Sequence, residues 1–439
     1  MRLHGTMSIN AEGRLTIGGC DTAGLVAEFG TPLYVFDEEL IRQNCRAYRA
    51  AFMQDERIQG EVIYASKAFM TKAMARIIQE EGLGLDVVSG GELYTALEAG
   101  FDPARIYFHG NNKSPAELEM ALAAGIGYFV VDNFTELHLL NGLAGERGVK
   151  ASILLRITPG VEAHTHEYIQ TGQIDSKFGS AISTGQALAI VEEALQLPHI
   201  DLKGLHCHIG SQIFELESYR YTVQVMLDFL AELRSRLGFT AEILNLGGGF
   251  GIYYAEGDEP ASIAAYGQLV RESVLAGCEE RDLPLPRLVV EPGRSIIGPA
   301  GTTLYTVGSV KEIPGVRTYI AVDGGMGDNP RPALYQSRYS ALLANKADQP
   351  AEIVVSVAGK YCESGDMLIW DLAVPRTEPG DILAVFCTGA YNYSMAMNYN
   401  RVPRPAAVLV KDGQADLIIR RESYADLVQN DVIPERLKK

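Results

Sequence analysis

The stretch EVIYASKAFMTKAMARIIQEEGLGLDVVSG, Glu61–Gly90, holds two short apolar runs separated by a segment of helical periodicity. EVIYASKA and GLDVVSG are rich in Val, Ile and Leu without polar alternation, as expected for strands buried on both faces. The same rhythm continues through RIYFHGN, YFVVDN, SILLRITPG, LKGLHCHIGS, ILNLGGG and RLVVEPGR, with segments such as SPAELEMALAAG between them. Eight strand-plus-helix units between about residues 60 and 295 predict an α/β fold, a closed (β/α)8 barrel in preference to an open doubly wound sheet.

Beyond residue 296 the pattern changes to TTLYTVGSV, TYIAVDGG, EIVVSVAG, MLIWDLAV, DILAVF and AAVLVKDGQADLIIRR, strands with few helices between them. The Asp-Gly of VKDGQADL is a hairpin signal. Two domains are therefore expected: a barrel over residues 34–295, and a β-rich domain of residues 296–439 completed by the N-terminal residues 1–33, where RLTIGG is a candidate strand. A chain of 439 residues has room for both.

A net charge of −17, with no Lys/Arg-rich block to offset it, argues against nucleic acid and anionic membranes as partners. The first residues lack the apolar core of a secretory signal, and no run of 18 apolar residues occurs, so a cytoplasmic protein is expected. Six cysteines without a Cys-x-x-Cys pair suit reduced thiols better than a disulfide framework or a zinc site.

Barrel chemistry collects at the C-terminal ends of the strands. Taken in order, those ends carry Lys67, Asp86 with Ser89, His109 with Asn111, Asp132, Arg156, His208, Gly247-Gly248-Gly249, and Glu291 with Arg294. Alone, Lys67 reads as a snorkelling lysine; in apolar surroundings, where burial disfavours the ammonium, its amine becomes a nucleophile toward a carbonyl. The glycine triplet lets the backbone approach an anion, and Ser211 adds a hydroxyl, although a tight turn would also explain the glycines. Glu291 needs a partner, either Arg294 in an ion pair or a pyridinium nitrogen that a carboxylate keeps protonated. Amine, glycine cradle and strand-end carboxylate together describe a pyridoxal phosphate site. His206 with His208, and His164 with His166, leave a metal-dependent barrel hydrolase as a rival, but the late strands carry glycines and a Glu-Pro-Gly-Arg where that rival needs ligands. No metal is expected. On the cofactor reading His208 lies against the ring and His206 is an interior histidine.

The motifs YASKA, GLDVVSGGEL, HGNNKS, HCHIGSQI, LNLGGGFGI, EPGRS, RPALY, CESGD and GAYNYSMAMNYNRVPRP occur in this order over nearly the whole chain. In this the sequence resembles the diaminopimelate decarboxylases, barrel-type pyridoxal phosphate enzymes of fold type III, and most of all the Bacillus-type members. The resemblance implies decarboxylation of meso-2,6-diaminopimelate at its D-centre to L-lysine and carbon dioxide, the last step of lysine biosynthesis.

It further implies that Lys67 holds the cofactor, Glu291 pairs with its ring nitrogen and His208 stacks on its face. Asp86, Gly247, Gly248, Gly249, Ser211, Arg294 and Tyr391 complete the cofactor set, with Arg294 and Tyr391 also reaching substrate. Arg331 and Tyr335 receive a substrate carboxylate, Cys362 is the proton donor and Glu363 reads the distal amino group. Cys362 and Glu363 come from the second subunit of a homodimer. Guanidinium for carboxylate, and carboxylate for ammonium, suit a substrate with an amino-acid group at each end. The alternatives are a relative acting on carboxynorspermidine, ornithine, arginine or an amino acid tethered to a carrier protein, and a non-catalytic pyridoxal phosphate-binding protein.

Overall fold

The computed structural model describes residues 2–161 and 176–438. The chain divides into two compact units. One comprises Arg42–Ile252 and Glu259–Ile296; the other comprises Met1–Ile41, Tyr253–Asp258 and Ile297–Lys439.

The first unit is the barrel. Its parallel strands are Gly60–Ala65, Gly84–Val87, Ile106–Phe108, Tyr128–Val131, Ala151–Thr158, Ile200–His206, Ile243–Asn245 and Arg287–Val290. Each pairs with the next, and the eighth returns to the first, with Val290 opposite Val62. All eight runs read from the sequence are these strands. Inside, Ile63, Tyr107, Val130, Leu154, Ile243 and Val289 form a fully buried cluster. Each apolar side chain removed from water in this way contributes about 1.5–3 kcal/mol.

At the N-terminal end of the strands, Arg287 bridges Glu61 at 3.3 Å and the Tyr128 hydroxyl at 2.7 Å. The Tyr107 hydroxyl donates to Glu61 at 2.9 Å, and its ring stacks on Tyr128 at 4.6 Å. This end is closed by packing and satisfied polar groups, as a structural floor requires.

Three consecutive helices, Gly90–Glu98, Pro115–Ala124 and Phe134–Glu146, start alike. Their N-caps Ser89, Ser114 and Asn133 accept from the amides of Glu92, Glu117 and Glu136. Each glutamate also turns back onto a loop at the barrel mouth. Glu92 accepts from the Val88 amide and the Ser66 hydroxyl, both at 2.7 Å, and Glu117 accepts from the Gly90 amide at 2.7 Å. Glu136 accepts from the Asp132 amide and from buried Lys113. Capping residues thus double as clamps on the loops that follow the first four strands.

The second unit is built on a mixed sheet in the order Met367–Val374, Ile353–Ala358, Arg317–Val322, Gly301–Ile313, Leu33–Asp37, Ala406–Lys411 and Gln414–Ile419. Leu33–Asp37, buried at every position, pairs antiparallel with Gly301–Ile313 and parallel with Ala406–Lys411. The boundary expected at residue 34 therefore falls inside a strand of this unit, which keeps the chain to Ile41. RLTIGG does not join this sheet: Leu15–Ile17 pairs with Ser8–Ile9 and Cys20–Asp21 in a separate three-stranded sheet. The Asp-Gly hairpin forms, with φ of 51° at Asp412 and 77° at Gly413, the left-handed pair that a type I′ turn needs. Among the described residues no helix is long and apolar enough to cross a membrane.

Candidate active site

The first strand ends at Ala65 and runs into a single 3-10 turn, Ser66–Ala68. Lys67 in that turn is exposed, while Ser66 and Ala68 on either side are fully buried. The apolar burial expected for the amine is thus corrected: Lys67, in the turn beyond the strand, is exposed. The Ser66 hydroxyl is tied to Glu92 at 2.7 Å, so the turn has a fixed base. Lys67 belongs electrostatically to the mouth, since its charge acts on Asp86, Glu92 and His208.

Glu291 follows the eighth strand and is 7% exposed. It receives three contacts: His109 at 3.0 Å, His206 at 3.3 Å and the Asn245 amide group at 2.7 Å. Of its two expected partners, Arg294 instead donates to the Ser211 hydroxyl at 2.7 Å. Burial opposes ionisation of Glu291, but His109 and His206 outweigh it and hold the carboxyl well below its ordinary value. Burial pushes neighbouring Asp86 the other way, up to about 7, with Glu291 adding to the rise and His109 and Lys67 opposing it. The mouth thus holds one carboxyl strongly biased to the anion and a second biased to the acid.

His206, the last residue of its strand, is the interior histidine expected; burial lowers it to about 4. His109, His206 and Glu291 bring three ligand atoms within 4.8 Å of one another. His164 and His166 lie outside the described residues. His208 lies two residues beyond His206, where its Nδ1 accepts from the Gly248 amide at 3.3 Å. Burial, then the charges of Lys67 and Arg156, lower His208 well below its ordinary value and keep the ring neutral.

The glycine loop is shaped by close approach. A Cβ on Gly248 would fall 2.1 Å from the Glu291 carbonyl oxygen, and one on Gly247 would fall 2.6 Å from that of Cys207. Gly247 also has a φ of 68°, which favours glycine. Its amide donates to the Asn245 side chain at 2.9 Å, so Asn245 fixes both the loop and Glu291.

The donor set fits pyridoxal phosphate. A carboxylate held ionised suits a protonated pyridine nitrogen, a neutral imidazole suits the ring face, and the Arg294–Ser211 pair offers a cation and a hydroxyl to a phosphate. Lys67 supplies the amine. Ser89 has a local duty instead, as a helix cap, and the main-chain carbonyl of Asn111 accepts from the Asn133 side chain at 3.2 Å.

In the β-rich unit, Arg331 is 7% exposed and sits among aromatic rings. Its guanidinium carbon lies 5.7 Å from the ring centres of Tyr254 and Tyr391 and 5.4 Å from that of Tyr335. Its Nε donates to the Tyr339 hydroxyl at 2.9 Å. Arg331, Tyr335 and Tyr391 are thus brought together, with Tyr391 against the arginine. Tyr254 and Tyr339 join them with no sequence signal beyond an aromatic residue in a loop. Cys362 and Glu363 are exposed, whereas the other five cysteines are buried. The Cys362 amide donates to the side chain of Asn400 at 2.8 Å.

Residues 38–298 match the family model described as the pyridoxal binding domain of pyridoxal-dependent decarboxylases. The chain is 54% identical to the diaminopimelate decarboxylase of Bacillus subtilis and 55% identical to that of Halalkalibacterium halodurans, each over 98% of both chains. The crystal structure of diaminopimelate decarboxylase from M. jannaschii in complex with L-lysine superposes with a TM-score of 0.93 at 37% identity, covering 100% of both chains. The likeness takes in both the eight-stranded barrel and the β-rich unit, over 98% or more of the chain: the chain belongs to the diaminopimelate decarboxylase family of pyridoxal-dependent decarboxylases.

Proposed function

We propose that this chain decarboxylates meso-2,6-diaminopimelate at its D-configured centre, releasing L-lysine and carbon dioxide, with pyridoxal phosphate as cofactor. The observation that carries the reading is the Glu291 carboxyl, buried at the end of a barrel strand between His109 and His206 in the same mouth as Lys67. When bound, the cofactor supplies the electron sink for the pair left behind as carbon dioxide departs.

The chain supplies the rest. Lys67 Nζ would anchor the cofactor through its amine. Glu291 would pair with the ring nitrogen and favour its protonated form. His208, kept neutral, would lie against the ring and exclude water from that face. Gly247, Gly248, Gly249, Ser211, Arg294 and Tyr391 receive the phosphate and its surroundings, and Asp86 completes the acidic side of the mouth. Arg331 with Tyr335 binds the carboxylate of the end that does not react, which a guanidinium does through paired hydrogen bonds. Glu363 takes the ammonium of that end. Cys362 Sγ delivers the proton that replaces the carboxyl group, so that lysine leaves with all its valences filled.

The two units divide this work: the barrel unit, Arg42–Ile252 and Glu259–Ile296, carries all the cofactor residues but Tyr391, and the β-rich unit carries Arg331, Tyr335, Cys362 and Glu363 for the substrate and the subunit contact. Cys362 and Glu363 act from the second copy of a homodimer in the cytoplasm. Purified protein supplied with cofactor is expected to release carbon dioxide and L-lysine from meso-diaminopimelate, and none from ornithine or arginine. Absence of release from the first substrate would overturn the assignment.

A further inference from the structure

The motif GAYNYSMAMNYNRVPRP ends in a loop whose Asn400 has no role in the reaction as described so far. Its side chain accepts the Cys362 amide hydrogen at 2.8 Å, on the residue that carries the exposed thiol. Asn400 and Arg401 have φ of 52° and 56°, the left-handed region that non-glycine residues avoid. Such a pair persists only where the surroundings hold it, and here they do. Arg401 donates to the Leu427 carbonyl at 2.6 Å and to Asp431 at 2.7 Å, while Asn398 donates to Glu422 at 2.6 Å.

The cysteine's own loop is fixed from the other side. Asp366 accepts from the amides of Met326 at 2.6 Å and Tyr361 at 2.8 Å. The rings of Tyr361 and Tyr399 stack at 6.1 Å with planes 9° apart. Two loops, each braced from outside, therefore meet at Tyr361 with Tyr399 and at Cys362 with Asn400. Only the second contact touches the residue that carries the thiol.

We infer that Asn400 is a positioning residue for proton delivery: its left-handed backbone presents an acceptor that fixes the Cys362 main chain and thereby the line along which Sγ approaches the substrate carbon. The inference rests on the reading of Cys362 as proton donor. It assigns Asn400 no contact with substrate or cofactor.

Asn400→Gly separates backbone from side chain, because glycine adopts this φ without strain and lacks the acceptor. Asn400→Asp keeps an oxygen in place. Asn400→Gly is expected to lower kcat about tenfold with KM for meso-diaminopimelate within about twofold, and to raise the solvent deuterium isotope effect as proton delivery becomes limiting. Asn400→Asp is expected to stay within about threefold of the unmodified enzyme. A kcat for Asn400→Gly within twofold of the parent, or a loss with an unchanged isotope effect, would overturn the inference. Cys362→Ala, measured alongside, separates the two ideas. If it loses activity while Asn400→Gly does not, only the positioning role fails; if Cys362→Ala keeps full activity, the donor reading fails and the positioning role with it.

Discussion

Glu291 and Cys362 show two ways in which this chain places a reactive group. Glu291 sits at the end of a barrel strand, 7% exposed, with its oxygens on His109, His206 and Asn245 from three other strand ends. Regular parallel pairing delivers all four residues to one place, so the geometry follows from the barrel itself. Cys362 lies on an exposed loop, where an Asn400 side chain and a braced pair of left-handed residues do what strand pairing does for Glu291. A buried carboxylate is set by the whole fold; an exposed thiol is set by a few local contacts. The first should resist local change and fail badly when its charge is lost, and the second should be easy to detune.

The largest effect is expected where the buried centre is broken. Glu291→Ala leaves the Asn245 amide group and two imidazoles without their acceptor, and each buried polar group left unsatisfied costs about 1–3 kcal/mol. Denaturant unfolding should show that loss, together with poor retention of cofactor. If Glu291→Ala unfolds at the parent's midpoint, the contacts to His109 and His206 do not hold the mouth together.

A smaller effect is expected in the β-rich unit. Arg331→Lys keeps the charge but loses the planar fork framed by Tyr254, Tyr335 and Tyr391. KM for meso-diaminopimelate should rise roughly tenfold or more, the loss of a charged hydrogen bond of about 1.5–3 kcal/mol, with kcat much less affected. A fall in kcat at constant KM would move Arg331 from holding the substrate to the chemical step.

The barrel was legible because a strand buried on both faces leaves a continuous apolar run, and eight such runs at helical spacing admit few folds. Leu33–Asp37 is the same kind of run, so nothing local marks it as belonging to the other unit; only its pairing with residues 301–304 and 406–410 does. The chemical identity of the mouth was legible because strand ends are where side chains converge. The exposure of Lys67 was not, since the 3-10 turn that carries it follows the strand with no break in the apolar run to mark it. Tyr254 and Tyr339 around Arg331, and Asn400 beside Cys362, come from segments far apart in the chain, and contacts of that kind leave no spacing to read.

The central claim, that the Lys67 and Glu291 mouth holds pyridoxal phosphate, is tested most directly by reducing cofactor-loaded protein with borohydride and mapping the modified peptide by mass spectrometry. A visible absorbance band should disappear on reduction, with a pyridoxyl adduct on Lys67 that Lys67→Ala abolishes. An adduct confined to another lysine, or no adduct in protein that releases carbon dioxide from substrate, would contradict it.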